Sequence, residues 1–149
     1  MKRILIALAL LLLPGAAIAQ TPNHRLTPGV TRGLTQAQIC KTKWGIDKRH
    51  VTDTMTRQVF ASYGFAKLNK DKRCPCEIDH LISRELGGAD DVKNLWPQPY
   101  RGRWNAHLKD RLENQLHKEV CAGRLKLGDA QKGIAADWTK LYRGYYGSP

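Results

Sequence analysis

Residues 76 to 99, CEIDHLISRELGGADDVKNLWPQP, leave the chain few ways to go except back on itself. Ile78 and the Leu81-Ile82 pair suit a short strand from Cys76 to Ile82. Ser83 to Asp91 then carries Gly87-Gly88 and the adjacent acids Asp90 and Asp91, residue types that relieve the strain of a turn. Val92 to Trp96 reads as the returning strand, stopped by Pro97 and Pro99, which have no amide proton to give a ladder.

Helices are expected on both sides of this hairpin. Leu108, Leu112, Leu116 and Val120 recur every four residues from Ala106 to Ala122, with Asn105 placed as a cap and Gly123 past the end. Upstream, Met55, Val59, Phe60 and Tyr63 share one face of a helix over 51–63, with Thr52 or Asp53 as its cap and Gly64 at its end. A last helix from Asp129 to Tyr142 gathers Ala130, Ile134, Trp138, Leu141 and Tyr142 on one side. The order is helix, hairpin, long helix, helix, which is an α+β chain without internal repeats.

The amino terminus reads differently. Lys2 and Arg3, the apolar run Ile4 to Leu13 and the small-residue site Ala17-Ile18-Ala19 have the three parts of a secretory signal peptide over residues 1–19. Ten apolar residues fall short of the roughly 20 that span a bilayer, so export to the periplasm or medium is expected, with no membrane anchor afterwards. Residues 20–34, rich in Pro, Gly, Thr and Asn, are expected to form a flexible arm ahead of one domain over 35–149.

The formal charge of +12 falls to +10 without Lys2 and Arg3, because residues 1–19 contain no acid. Such a surplus favours a polyanionic partner, whether nucleic acid, anionic lipid or cell-wall polymer. Part of it lies in Lys67 to Arg73, KLNKDKR, a basic loop leading into Cys74.

Cys40, Cys74, Cys76 and Cys121 are an even number in a chain read as exported, so disulfides are expected, in one of three pairings. A ring closed between Cys74 and Cys76 would be short and strained, which favours distant partners for both or one dominant distant pair, and Cys40 with Cys121 is the preferred pair. A zinc site competes, although one intervening residue suits tetrahedral zinc poorly.

Asp79, His80 and Asn94 bring an acid, an imidazole and an amide to the hairpin, and the following helix opens with Asn105, His107, Lys109 and Asp110. Asp79 offers a hard oxygen ligand for Mg²⁺ or a similar cation. His80, one residue on, points to the other side of a regular strand and can take a proton from water near neutral pH. Asn94 is placed to hold that ring in one tautomer. Singly, each has a plainer reading, as turn cap, strand residue or hairpin closure.

Together, Asp79-His80, Gly87-Gly88, Asn94-Leu95 and the helix from Ala106 resemble the HNH endonucleases. The wider pattern, DHLISRELGG, NLWPQPY and WNAHLKDRLENQLHKEVCAG, looks like an exported subgroup of that superfamily and covers about half of the chain beyond residue 19. The resemblance implies a ββα-metal core with flanking helices and a metal-dependent endonuclease hydrolysing phosphodiester bonds of DNA, or of RNA, with little sequence specificity. It implies that Asp79 holds one divalent ion, Mg²⁺ first and Mn²⁺, Ni²⁺ or Zn²⁺ as alternatives, that His80 activates water and that Asn94 orients His80.

The helix departs from the family pattern, since many relatives place His or Asn there beside Cys-x-x-Cys zinc ligands. His107 is the expected second metal ligand, with Asn105 and Asp110 behind it. Lys109, Arg111 and Arg103, with Arg101 nearby, are expected to hold the scissile strand by its phosphates. Trp96 and Trp104 are read as core, His24, His50 and His117 as surface or packing residues, and Glu77 and Glu85 lie outside the expected site. A monomer is expected. The competing class is a non-catalytic basic protein that binds extracellular DNA or an anionic envelope polymer.

Overall fold

The computed structural model describes residues 20–65 and 74–149; the segment read as a signal peptide and the basic loop Lys67 to Arg73 lie outside the described residues. Among the described residues four helices surround one antiparallel hairpin: α1 (Gln36–Lys41), α2 (Asp53–Ser62), β1 (Cys76–His80), β2 (Leu95–Pro99), α3 (Ala106–Cys121) and α4 (Leu127–Tyr146). The class is α+β. Two 3₁₀ turns, Arg84–Leu86 and Val92–Asn94, lie in the loop of the hairpin.

Local chemistry accounts for most of the helix ends. The Thr52 side chain accepts the Met55 amide at the start of α2, and the Asn105 side chain accepts the Leu108 amide at the start of α3. The sequence reading lacked α1, because six residues are too few to show a period; a capping box between Thr35 and Gln38 starts it. Helix α4 is longer than expected and kinked at Asp137, whose side chain accepts the amides of Thr139 and Lys140 as if a new helix began there.

The returning strand is displaced from its expected position. Val92 to Asn94 form a 3₁₀ turn, with Asp91 accepting the Lys93 amide, and β2 begins only at Leu95. Pro97 and Pro99 do not stop the strand but lie within it, opposite Ile78 and Cys76. In a sheet of two strands both are edges, and residues two apart turn their nitrogens the same way, so prolines can occupy the side facing away from β1.

Alternation along the hairpin divides the core. Ile78 and Leu95 pack with Val59, Phe60 and Phe65 on the α2 side. Trp96 joins Leu112, Leu116, Val120, Ile134, Trp138 and Tyr142 on the α3–α4 side. Trp104 packs edge-on against Trp138 at 5.6 Å between ring centres.

The segment expected to be a flexible arm is docked. Thr27 is fully buried, its hydroxyl donating to the Leu95 carbonyl at 2.9 Å and pairing with the Tyr63 hydroxyl at 2.8 Å. The Gly29 amide donates to Lys93, Arg32 to Gly87, and Thr31 bridges Gly88. Lacking a hydrophobic period, the segment is held by polar and backbone contacts that periodicity does not report.

Cys40 and Cys121 form the preferred disulfide, joining the last turns of α1 and α3 across 5.5 Å between Cα atoms. Of the two expectations for Cys74 and Cys76, distant partners for both is corrected, since these two pair with one another, while a single distant pair, Cys40 with Cys121, is what forms. With Cys40 and Cys121 taken by each other no distant thiol remains, and the bend at Pro75 brings the two Cα atoms to 5.1 Å.

Candidate functional site

The site is framed by the loop that Asn94 holds shut. The Asn94 side chain is wholly buried: its amide nitrogen donates to the carbonyls of Ile82 and Ala89, each at 3.0 Å, and its oxygen accepts the amides of Ile82 at 3.0 Å and Val30 at 3.4 Å. Gly88 lets the loop close this tightly, since a Cβ there would sit 1.7 Å from the Ile82 carbonyl oxygen and 2.9 Å from the Asn94 amide nitrogen. All of these Asn94 contacts are to backbone. The expected contact with the His80 ring is therefore absent, and the amide fixes the loop that carries the ring's actual partner.

That partner is Asp90, ten residues from His80 and with its Oδ1 2.7 Å from the ring Nε2. Asp90 is fixed in turn by the His50 amide, which donates to Oδ2 at 2.7 Å. Burial raises the Asp90 carboxyl, but the His50 amide and the His80 ring outweigh it and hold the group below the usual carboxylate range. Burial lowers the His80 ring below its ordinary value of 6.5, and the acids Asp79 and Asp90 only partly offset it. The ring is thus neutral at pH 7. An ionised Asp90 at Nε2 selects the tautomer with its proton there, which leaves the Nδ1 lone pair open as a base.

Asp79 pairs with an internal cation. Lys109 of α3 is fully buried, and its Nζ donates to Asp79 Oδ2 at 2.7 Å, to the His80 carbonyl and to Glu113. Burial by itself lowers the Lys109 ammonium; Asp79 and Glu113 together raise it by more, so the amine stays charged. The Glu113 carboxyl is raised well above its usual range by burial, which Lys109 only partly offsets.

Other acids press on the same spot. Glu77 lies two residues before Asp79, hence on the same face of β1, and its carboxyl is raised by burial and then by the charges of Asp79 and Asp110. Asp110, though exposed at its surface, is raised by partial desolvation and by Asp79, with Lys109 and His107 acting against this. His107 itself is exposed in the first turn of α3. Hard oxygens at Asp79, Asp110 and Glu77 fit Mg²⁺ or Mn²⁺ better than zinc, which favours nitrogen and sulfur. Among the described residues the one set of three His, Cys, Asp or Glu ligand atoms lying within 4.8 Å of one another is elsewhere, at Cys40, His117 and Cys121.

Asp79 and His80 open on one cleft of about 340 Å³, walled by Trp44, Ser83, Arg84, Glu85, Glu113 and Asn114. Arg84 ties the wall together, donating to the carbonyls of Asp47 and Lys48 and to the Asp47 carboxylate, with its Nε 3.8 Å from Asp90. The Ser83 hydroxyl is buried at the cleft and finds no partner among the described residues. A larger hollow of about 490 Å³ on α4, lined by Gly133, Ala136, Asp137, Lys140, Leu141, Gly144 and Tyr145, is mostly apolar and holds no imidazole.

One of the expected phosphate contacts needs correction. Lys109 is buried in its ion pairs and cannot reach a strand in solvent. Arg111 stacks on Tyr146 at 3.9 Å and Arg103 lies over Trp104 at 5.9 Å, both remaining exposed to solvent. The cleft's own cation is Arg84, with Arg49 close by and donating to the Ile78 carbonyl. Sequence reasoning missed Asp90, Arg84, Ser83 and Glu113 in this setting. Only Asp90-Asp91 gave a signal, and it was read as turn chemistry; Asp91 does cap the turn, while Asp90 reaches the ring.

Comparison with known proteins finds no matching family model, no matching curated protein and no matching solved structure.

Proposed function

We propose that the chain is an exported, metal-dependent endonuclease with a ββα-metal core formed by β1, β2 and α3, hydrolysing nucleic acid with little sequence specificity. The observation that carries the reading is the neutral His80 ring, fixed by Asp90 and sharing one cleft with Asp79 and Arg84.

In this reading the Nδ1 atom of His80 takes a proton from water while Asp90 steadies the positive ring that results. The basic surface draws the substrate by its phosphates rather than by its bases, so recognition runs through the backbone and weakens with salt. Asp79, Asp110 and Glu77 would hold the divalent ion, with His107 beside Asp110 and Lys109 setting the position of Asp79. The ion, when bound, neutralises charge gathering on the phosphate and the leaving oxygen.

The test incubates oxidised protein from Gln20 onward with plasmid and with RNA, in Mg²⁺, in Mn²⁺ and in chelator, beside His80→Ala. Metal-dependent cleavage that disappears in the variant, with DNA binding retained, supports the enzyme. Binding without cleavage under every metal, or equal cleavage by the variant, assigns the basic chain instead to the non-catalytic, polyanion-binding class.

A further inference from the structure

We propose that, once the Cys40–Cys121 disulfide is reduced, Cys40, Cys121 and His117 form a binding site for a borderline-soft divalent cation such as Zn²⁺ or Co²⁺. The inference is independent of the reading of the cleft.

The ligand atoms of these three residues already lie within 4.8 Å of one another. His117 and Cys121 are four residues apart on α3 and so share one face, with the ring Nε2 3.5 Å from the Cys121 sulfur. Cys40 comes from the end of α1, which the disulfide holds against that face. The far side of the ring is occupied as well: Glu85 Oε2 lies 3.9 Å from Nδ1, and Trp44 stands edge-on to the imidazole at 6.5 Å between ring centres. Glu85 is too far for a hydrogen bond, but its charge favours a proton on Nδ1 and leaves the Nε2 lone pair toward the sulfurs.

The disulfide itself is a poor ligand, because metals of this class bind thiolate. The site therefore belongs to the dithiol form. A dithiol or phosphine reductant delivers two electrons, solvent or the dithiol supplies two protons, and the S–S bond is replaced by two S–H groups while the reductant is oxidised. The cation then displaces both thiol protons to the solvent and takes two thiolates and Nε2, leaving a fourth position for water. Tetrahedral zinc needs sulfurs about 3.8 Å apart, at Zn–S of about 2.3 Å, which rotation about the two Cα–Cβ bonds can provide. A small-molecule disulfide takes the two electrons and leaves as two thiolates, while the Cys40–Cys121 bond closes again and the ion returns to solvent.

The experiment uses the full chain with Cys74→Ser and Cys76→Ser, which removes the other thiol pair. The protein is reduced with a phosphine under nitrogen and titrated with Co²⁺, then Zn²⁺. One Co²⁺ per chain is expected, with thiolate-to-metal charge-transfer absorption that Zn²⁺ abolishes and that the oxidised protein never shows. His117→Asn, which keeps the disulfide and its fold when oxidised, should weaken Co²⁺ binding by about tenfold or more when reduced. Absence of the absorption band, equal affinity in His117→Asn, or equal binding by the oxidised protein overturns the site.

Discussion

The ring of His80 is held by Asp90, Nε2 to Oδ1 at 2.7 Å, across a loop whose shape is set by the buried amide of Asn94. Orientation of the ring and closure of the loop are thus divided between two residues.

That division makes Asp90→Asn the most direct probe of the ring. The amide keeps the size of the side chain but no longer favours the tautomer with its proton on Nε2. Plasmid cleavage should fall by about 10² or more while DNA affinity stays within about twofold, as expected of a group that steadies a catalytic imidazole. A cleavage rate equal to that of the parent removes Asp90 from the mechanism.

Asn94→Ala should act on stability first. It strands the backbone groups of Ile82 and Ala89 in a buried loop, at a cost of about 2–4 kcal/mol. Thermal unfolding followed by circular dichroism checks this, with Asp90→Asn as the comparison. A Tm unchanged in Asn94→Ala would remove the account of the loop.

Replacing Lys109 tests the buried ion pairs. Lys109→Met leaves Asp79 and Glu113 without their cation and should destabilise the fold by about 3–5 kcal/mol. Adding Glu113→Leu removes one of the stranded acids and should recover part of the loss. If urea midpoints show the double variant less stable than the single one, the acids were not the problem.

The pH response of His80 has a definite sign. Because burial lowers the ring in the folded chain, the unfolded chain protonates first as pH falls through about 6.5. The ring's contribution to stability is therefore fully present above that pH, declines below it, and is lost once the folded ring is also protonated. A cation at Asp79 would push the ring the same way. The acid limb of kcat/KM should accordingly lie below about 6.5, and a limb well above it would argue against His80 as the base.

The local order of elements was written in the chain. Leu108, Leu112, Leu116 and Val120 marked α3, Thr52 and Asn105 marked two helix starts, and Gly87-Gly88 marked the reversal between β1 and β2. These are legible because capping, left-handed φ and a period near four residues depend on neighbours a few positions away. The Cys40–Cys121 pair was reached from compartment and number, and its separation of 81 residues shows how little spacing alone could contribute.

Packing decided the remainder. Lys109 and Asp110 are adjacent at the start of one helix, yet the first is wholly buried against Asp79 and Glu113 while the second is exposed, a difference set by which way α3 rolls onto the hairpin. Asp90 and Asp91 are chemically alike and consecutive, and only the folded loop sends one to His80 and the other to the Lys93 amide. The chain alone fixed which backbone segments form, because those preferences act over a few residues. Which side chain meets which was fixed by the docking of whole elements, because burial and pairing depend on groups that approach only once the core has closed.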